Sequence, residues 1–409
     1  MAKQRSSAAL IVALSIVGVL LVVIRPLHRE AQVLEHPAEE QVASAAVLSR
    51  ALLDESLALG RGYLLANQKE EGNFNYEYDF LTRAYSTGDN QVRQAGPLWA
   101  LALIHRDQPS PETRDAVLKG FAFFRAHSKE LPDGRRIVIY PHSKYGETGT
   151  VSILSLALIE FLRVETGCPE CADLTEDLDG YLKFLLSQKR KDGQYYEHYA
   201  YKDGASMDGT SSYFDGETLL ALSKAARYLG HDELKDPVLD SAKRMYHHYV
   251  TEALQESQDP AILKSFYQWG TMAYYEIATS GWEDADVYGD HAIEMTHWMI
   301  GVHDVLERTF NTGYAFEGIM HAYELARRKG DTDAEALFRD AAQEGLGKLT
   351  TWQVGIPVAN DYLRAHSTDD PLARGGVMNA ADNPKLRIDV TQHQMHAVLL
   401  AREFLYPAP

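Results

Sequence analysis

Apolar residues recur at helical spacing from residue 46 to the end of the chain, and the pattern breaks at clusters of Gly, Pro and Asp. Helix follows helix, so the pattern predicts an all-α fold of about six helical pairs. The first members are expected near residues 46–67, 111–127, 173–188, 237–256, 287–308 and 334–349. The second members are expected near residues 93–106, 147–165, 214–229, 266–279, 313–329 and 391–405.

The two members of each pair differ in polarity. Segments 95–104, 151–159 and 219–226 are small and apolar nearly all round, which is typical of helices that are buried on every side. The first members carry more charge, as in segment 236–251, and would face solvent. The alternation predicts an (α/α)6 toroid over residues 46–409, in which six inner helices are enclosed by six outer ones.

A turn signature recurs at matching places in two of the pairs. Gln68 is followed by Gly72 and an aromatic residue, and Gln188 is followed by Gly193 and Tyr195. A helix that ends at Gly before an apolar residue is a common arrangement, but its recurrence at equivalent positions indicates an internal repeat.

These turns, and the loops rich in Gly and Glu that lead into small apolar helices, resemble the α/α-toroid proteins. That superfamily includes a terpenoid-cyclase-like group and a six-hairpin glycosidase-like group of carbohydrate enzymes. The chain has no Asp-rich cyclase box, and it lacks the Cys and His ligands of the zinc-dependent toroids. The resemblance therefore favours the carbohydrate-active members and implies an activity on sugars.

The N-terminus carries an apolar run over residues 8–24, preceded by Lys3 and Arg5. Seventeen residues give about 25 Å of helix, near the lower limit for crossing a bilayer. A cleaved signal peptide is the alternative, but no small-x-small cleavage motif follows the run. We predict an uncleaved signal anchor in residues 1–29, a linker over 30–45 and an exported body, periplasmic or extracellular.

Net charge, cysteine content and sequence motifs limit the kinds of partner, compartment and cofactor to be considered. The chain has 58 acidic and 40 basic residues and a net charge of -18, which argues against a nucleic-acid partner. Its two cysteines, Cys168 and Cys171, could form a disulfide in an exported protein, or be redox-active or idle thiols in the cytosol. Phosphate-binding loops, dinucleotide fingerprints, nucleophile elbows and His-Glu-x-x-His are absent from the sequence, and we predict no cofactor.

Acidic and aromatic side chains concentrate in the loops before the inner helices. Rings stack on sugar faces, and carboxyl groups supply acid, base or nucleophile in sugar chemistry. The predicted acid and base groups are Glu147, Asp215, Glu217 and Glu317. The predicted stacking or proton-transfer groups are Tyr76, Tyr145, Tyr213 and Tyr314. Two basic residues would hold an anionic sugar substituent, namely Arg93 and Arg387.

Each carboxyl group also has a structural alternative. Asp215 and Asp389 stand where an N-cap residue is expected. The three glutamates begin apolar inner helices, and a buried carboxylate needs a partner. Arg93, Lys144 and Arg387 are available for ion pairs that would lock the ring.

Asp389, His393 and His396 follow one another at i, i+4 and i+7, which places them on one helical face. Two imidazoles and one carboxylate could bind a metal ion, although three ligands are an incomplete set. We favour His393 as a general base.

The leading hypothesis is an exported, membrane-tethered enzyme that acts on a polysaccharide or glycoconjugate as a hydrolase, lyase or uronate epimerase. A non-catalytic module that binds a glycan or protein in the cell envelope is the second hypothesis, and sealed, paired glutamates would favour it. A terpenoid- or lipid-modifying toroid is the third, and a deep apolar cavity would favour it.

Overall fold

A computed structural model describes residues 47–407. The predicted signal anchor, with its transmembrane segment at about 8–24, and the linker over 30–45 lie outside these residues. Among the described residues, none of the helices combines the length and the apolar character that crossing a membrane requires.

Residues 47–407 fold mainly into helices. In chain order these are α1 (Arg50–Ala66), α2 (Gln91–Asp107), α3 (Pro111–Ala126), α4 (Thr148–Leu162), α5 (Cys171–Ser187), α6 (Ser212–Tyr228), α7 (Lys235–Tyr246), α8 (Ala253–Glu256), α9 (Ala261–Ala278), α10 (Val287–Gly301), α11 (Gly313–Lys329), α12 (Thr332–Thr350), α13 (Asp361–Ala365) and α14 (Ile388–Leu400). A π-helical turn, His247–Glu252, joins α7 to α8, and a second one, Ala401–Leu405, follows α14.

The inner ring consists of α2, α4, α6, α9, α11 and α14. Each of these helices contacts the next, and α14 contacts α2, so the ring is closed. All residues of α4 from Thr148 to Phe161 are buried, as its apolar sequence predicts. The toroid is therefore confirmed.

The outer layer consists of α1, α3, α5, α7, α10 and α12. Five of these helices pack mainly on the inner helix that precedes them in the chain, whereas α1 packs on α14. Both ends of the toroid therefore meet at one seam. Arg402, which is buried beyond the end of α14, ties this seam together with ion pairs of 2.6 Å to Asp54 in α1 and 2.6 Å to Asp107 in α2.

The prediction of an all-α protein was incomplete, because short strands occur in the loops before the inner helices. They are β1 (Glu77–Asp79), β2 (Ala84–Tyr85), β3 (Ser128–Glu130), β4 (Arg136–Val138), β5 (Gly146–Glu147), β6 (His198–Tyr199), β7 (Ser206–Met207) and β8 (Lys385–Arg387). Antiparallel pairing gives the small sheets β2-β1-β8, β3-β4 and β5-β6-β7. Strands of two or three residues are too short to show an alternating pattern.

The first of these sheets also crosses the seam. Glu77 pairs with Arg387, so that the loop before α2 is joined to the loop before α14. The loops that begin and end the toroid therefore form one continuous rim at the end of the ring where the inner helices start. We call this end the mouth.

The repeated turns have a shared construction. The backbone N–H of Phe74 donates to Gln94 in α2 over 2.8 Å, and the N–H of Tyr195 donates to Asp215 in α6 over 2.7 Å. Each acceptor stands four residues after its N-cap residue, Asn90 or Ser211. The inner helix therefore holds the turn that precedes it.

The N-cap assignments of two aspartates were wrong. Ser211 accepts the capping bond of α6 from Phe214 N, and Asp215 lies inside the first turn. Arg387 occupies the N-cap position of α14, and Asp389 lies two residues further along, inside the first turn. Both aspartates therefore bond to other groups. The two cysteines, Cys168 and Cys171, are joined as a disulfide at the start of α5.

Candidate active site

The mouth opens into a cavity of about 530 Å³. All six inner helices, or the loops that lead into them, contribute to its wall. The residues singled out from the sequence that line it are Arg93, Glu147, Tyr213, Glu217, Tyr314, Arg387, Asp389 and His393. The wall therefore combines acidic and basic groups with aromatic and apolar side chains.

Glu217 is the most confined carboxyl group in this wall. Its side chain is 3% exposed, and Oε2 has no hydrogen-bond partner among the described residues. Gly149 in α4 faces it so closely that a methyl group there would lie 2.4 Å from Oε2. Burial raises the pKa of Glu217 well above its ordinary value, and the negative charge of Glu147 adds to the effect. The carboxyl group is therefore protonated well above the pH at which a solvated glutamate ionises.

Glu147 stands beside it at the start of α4. Its side chain makes no capping bond, while its backbone N–H donates to Gln91 over 3.2 Å. Burial and the charge of Glu197 raise the pKa of Glu147, and the positive charge of Arg93 works against this rise. Three glutamates therefore share one part of the wall.

Sequence reasoning missed Glu197, although it lies in an acidic and aromatic loop before α6. It also missed Gln268 and Trp269 of α9 in the cavity wall. Trp269 packs edge-on to His393, with 6.2 Å between ring centroids. An inner helix that is apolar nearly all round gives no periodic signal for the side of the helix that faces a cavity.

Glu317 is completely buried and contacts Gln268 and His393, two residues of the cavity wall. Its Oε1 is 3.2 Å from Nδ1 of His393 and 3.3 Å from Nδ1 of His396, and its Oε2 accepts a hydrogen bond from Gln268. Burial alone would raise the pKa of Glu317, but the two imidazoles hold it below its ordinary value.

This contact orients His393 toward the cavity. Glu317 accepts the hydrogen bond at Nδ1, and the amides of Gln268 and Gln392 lie 3.1 and 3.2 Å from the same nitrogen. Nε2 is left as the ring nitrogen that can exchange a proton with a ligand. His396 has no such position, because it borders a separate cavity of about 200 Å³ with residues from the far ends of the inner helices.

The three residues considered as a metal site do not converge. Both histidines turn toward Glu317, whereas Asp389 binds two arginines. Across residues 47–407, no group of three or more His, Cys, Asp or Glu side chains is arranged to hold a metal ion. The alternative of a metal site at Asp389, His393 and His396 was therefore wrong.

Arg93 and Arg387 are both engaged by Asp389. Arg387 forms two hydrogen bonds with this carboxylate, Nε to Oδ1 at 2.6 Å and Nη2 to Oδ2 at 2.9 Å. Nε of Arg93 lies 3.2 Å from Oδ2, and another of its nitrogens donates to the hydroxyl group of Tyr76. The structural alternative, in which these arginines pair with the glutamates, was wrong, and Asp389 neutralises much of the charge predicted to hold a substrate.

The remaining candidates lie away from the cavity wall. Asp215 is completely buried beneath the turn at Tyr195, and burial raises its pKa to about 7 while its hydrogen bonds oppose the rise. Tyr145 is 39% exposed and packs edge-on to His198. Lys144 is exposed and forms none of the ion pairs observed between residues 47 and 407.

No family model and no curated protein sequence matches the chain. Its structure, by contrast, is similar to several solved structures. A sugar epimerase from a ruminal bacterium is 11% identical with a TM-score of 0.62, and the match covers 87% of this chain and 99% of that one.

Two further structures match over a similar length. An unsaturated glucuronyl hydrolase specific for heparin is 11% identical with a TM-score of 0.61, and covers 88% of this chain and 99% of its own. A GH76 α-mannanase of Bacteroides thetaiotaomicron is 11% identical with a TM-score of 0.58, and covers 88% and 98%. The chain shares its α/α-toroid fold with these sugar enzymes, which confirms the toroid architecture predicted from the sequence.

Proposed function

We propose that this protein is a carbohydrate-active enzyme in which Glu217 acts as the general acid. One observation carries the proposal: Glu217 is a buried carboxyl group in the cavity wall whose pKa is raised well above its ordinary value. Such a group can donate a proton near neutral pH. The sugar enzymes among the similar structures, an epimerase, a mannanase and a glucuronyl hydrolase, support the assignment by analogy of fold.

The reaction that these groups support best is hydrolysis of a glycosidic bond. Glu217 would protonate the leaving oxygen, and Glu147 would act as the base for water or as the nucleophile. Glu147 is less buried than Glu217 and has the positive charge of Arg93 nearby, so it ionises more easily. The negative charge of Glu147 raises the pKa of Glu217 further, so an ionised Glu147 helps to keep Glu217 protonated.

Epimerisation or isomerisation of a sugar is the second candidate, and the orientation of His393 favours it. Nε2 of His393 would remove a proton from a carbon next to a carbonyl group, with Glu317 stabilising the imidazolium that forms. Protonated Glu217 would supply the acid. This route breaks a C–H bond and leaves glycosidic bonds intact.

An assay in heavy water tests the proposal and separates the two reactions. Full-length protein in detergent is incubated in D₂O with a panel of neutral and acidic oligosaccharides, and the products are analysed by mass spectrometry. Hydrolysis gives new reducing ends without carbon-bound deuterium, and epimerisation or isomerisation gives a deuterium on carbon. If no sugar in the panel changes, the non-catalytic hypothesis is favoured instead. The acidic and basic side chains in the cavity wall favour a sugar over a terpenoid as the substrate.

We also propose that the toroid is exported and tethered to the membrane by residues 8–24. The apolar run and its flanking charges support the tether, and the disulfide between Cys168 and Cys171 supports an oxidising compartment. Protease added to intact spheroplasts should digest the toroid. In a separate fractionation without protease, the full-length protein should stay with the membranes, and a protein that lacks residues 1–45 should not. Protection from the protease would contradict export.

A further inference from the structure

We propose that Lys264 forms a subsite for a negatively charged sugar substituent, a carboxylate or a sulfate ester. This inference rests on the proposed function, because it names the class of substrate for the same cavity. It also replaces the two arginines that the sequence suggested for this role.

Lys264 lies in the first turn of α9, in the cavity wall. Its Nζ donates a hydrogen bond of 2.9 Å to the hydroxyl group of Tyr213 and stands 4.9 Å from the ring centroid of Tyr314. Attraction between the ammonium group and the two tyrosine rings fixes it in place. The ammonium group is therefore held at a defined point of the cavity.

The charge of Lys264 is not neutralised by the protein. None of the ion pairs between residues 47 and 407 includes it, although acidic residues outnumber basic ones, 58 to 40. Arg93 and Arg387, by contrast, share the carboxylate of Asp389. A partly desolvated ammonium group that contacts only tyrosines keeps an uncompensated positive charge, which can pair with an anionic ligand.

The titration of these side chains agrees with a retained positive charge. Burial alone would lower the pKa of Lys264, but its contacts with Tyr314 and Tyr213 raise it above the ordinary value. Burial would likewise raise the pKa of Tyr213, but the hydrogen bond from Lys264 holds it below the ordinary value. The ammonium group therefore stays charged over the whole neutral range.

The three glutamates and Lys264 come from different parts of the ring. Glu147, Glu197 and Glu217 share the wall that spans α4 and α6, and they would repel an anion. Lys264 is on α9, and Tyr213 extends from the start of α6 to meet it. An acidic sugar should therefore bind in one orientation, with its anionic group on Lys264 and its glycosidic bond near the glutamates.

The test is a binding comparison that does not depend on turnover. Full-length protein carrying Glu217→Gln, which blocks the proposed acid, is titrated by calorimetry with three probes: a glucuronic-acid oligosaccharide, its sulfated counterpart and the neutral glucose oligosaccharide of equal length. The same titrations follow with Lys264→Met and Lys264→Arg added. Thermal unfolding of each variant checks that it is folded. The affinity of wild-type protein at 50 and 500 mM salt checks that the preference for the anionic probes is electrostatic.

The inference predicts that an anionic probe binds at least about tenfold more tightly than the neutral one, as one partly desolvated charge pair implies. Lys264→Met should abolish this preference with neutral affinity changed less than about twofold, and Lys264→Arg should keep most of it. Preference for the glucuronic-acid probe alone identifies a carboxylate, and preference for the sulfated probe alone identifies a sulfate ester.

An unchanged preference in Lys264→Met, or equal binding of neutral and anionic probes, would overturn the inference and leave the proposed function in place. Absence of binding by any sugar would overturn both.

Discussion

Asp215 accepts a hydrogen bond from the backbone N–H of Tyr195, with 2.7 Å between Oδ1 and the nitrogen. Its other oxygen accepts from the hydroxyl group of Tyr249 and from the amide of Gln194. Gln94 binds Phe74 in the same way in the first repeat. Asp215 therefore supports a turn of the toroid, and its carboxyl group is committed to the protein itself.

Replacing Asp215 by Ala should destabilise the protein and leave the turnover of the folded fraction nearly unchanged. The substitution leaves buried donors at Tyr195 and Tyr249 without an acceptor, which costs about 1–3 kcal/mol for each group. Urea unfolding of Asp215→Ala measures the loss, and Asp208→Ala, on an exposed loop, is the matched control. Normal stability with a large loss of turnover would instead restore Asp215 to the catalytic set.

Glu217 should make stability fall as pH rises. Its carboxyl group is protonated in the folded protein at pH values where the unfolded chain ionises it, because burial raises its pKa. Its contribution is fully present below the unfolded pKa of about 4.3 and disappears as pH rises through the folded pKa. Glu217→Gln should therefore gain stability relative to wild type as pH rises above about 4.3.

Denaturant unfolding at several pH values measures this difference. Glu344→Gln, on the exposed face of α12, should track the wild-type curve. A Glu217→Gln curve parallel to wild type would mean that the carboxyl group ionises normally.

Glu317→Gln should impair His393 without removing it. The substitution replaces the carboxylate that Nδ1 of His393 contacts at 3.2 Å with a neutral amide of nearly the same size. Loss of this carboxylate should release the His393 ring from its present orientation, because an amide offers Nδ1 a weaker, uncharged partner. NMR chemical shifts of the two ring nitrogens of His393, compared in both proteins at one pH, measure the change. Unchanged ring shifts would show that Glu317 does not control this ring.

Arg402→Met should destabilise the toroid at its seam. The substitution removes a buried guanidinium group that bridges α1 and α2 through Asp54 and Asp107. Breaking a buried pair by removing one partner typically costs about 3–5 kcal/mol, and the lower part of this range applies because both aspartates are half exposed. Arg339→Met on the surface should cost less than about 0.5 kcal/mol. Equal unfolding midpoints for the two variants would contradict a role at the seam.

Periodicity in the sequence was sufficient to predict the fold, because each helix repeats its apolar positions over several turns. The predicted boundaries of α11, residues 313–329, match the observed helix. Loop position was likewise sufficient to predict that glutamates and tyrosines gather at one mouth. The predicted start of α9 was wrong: the helix begins at Ala261 rather than at residue 266. Lys264 lies in this additional turn and was therefore not considered as a site residue.

The direction in which each side chain points could not be predicted from the same pattern. Asp215 and Glu217 are two residues apart in α6, which places them about 200° apart around a helix axis. One therefore faces the turn and the other faces the cavity, and both are acidic residues in the same loop-to-helix junction. The contact between Glu317 and His393 joins residues 76 positions apart in the chain, and no local pattern contains that information.

A kinetic comparison of Glu217→Gln with wild type is the sharpest test of Glu217 as the general acid. It uses whichever sugar the D₂O panel identifies, with Glu344→Gln as the control for a surface change. We expect a fall in kcat/KM of about 10²–10⁴-fold for Glu217→Gln, because a general acid is lost. Wild-type activity should also decline on the alkaline side as Glu217 loses its proton. A Glu217→Gln protein that folds and turns over the sugar within twofold of wild type would show that Glu217 is not the general acid.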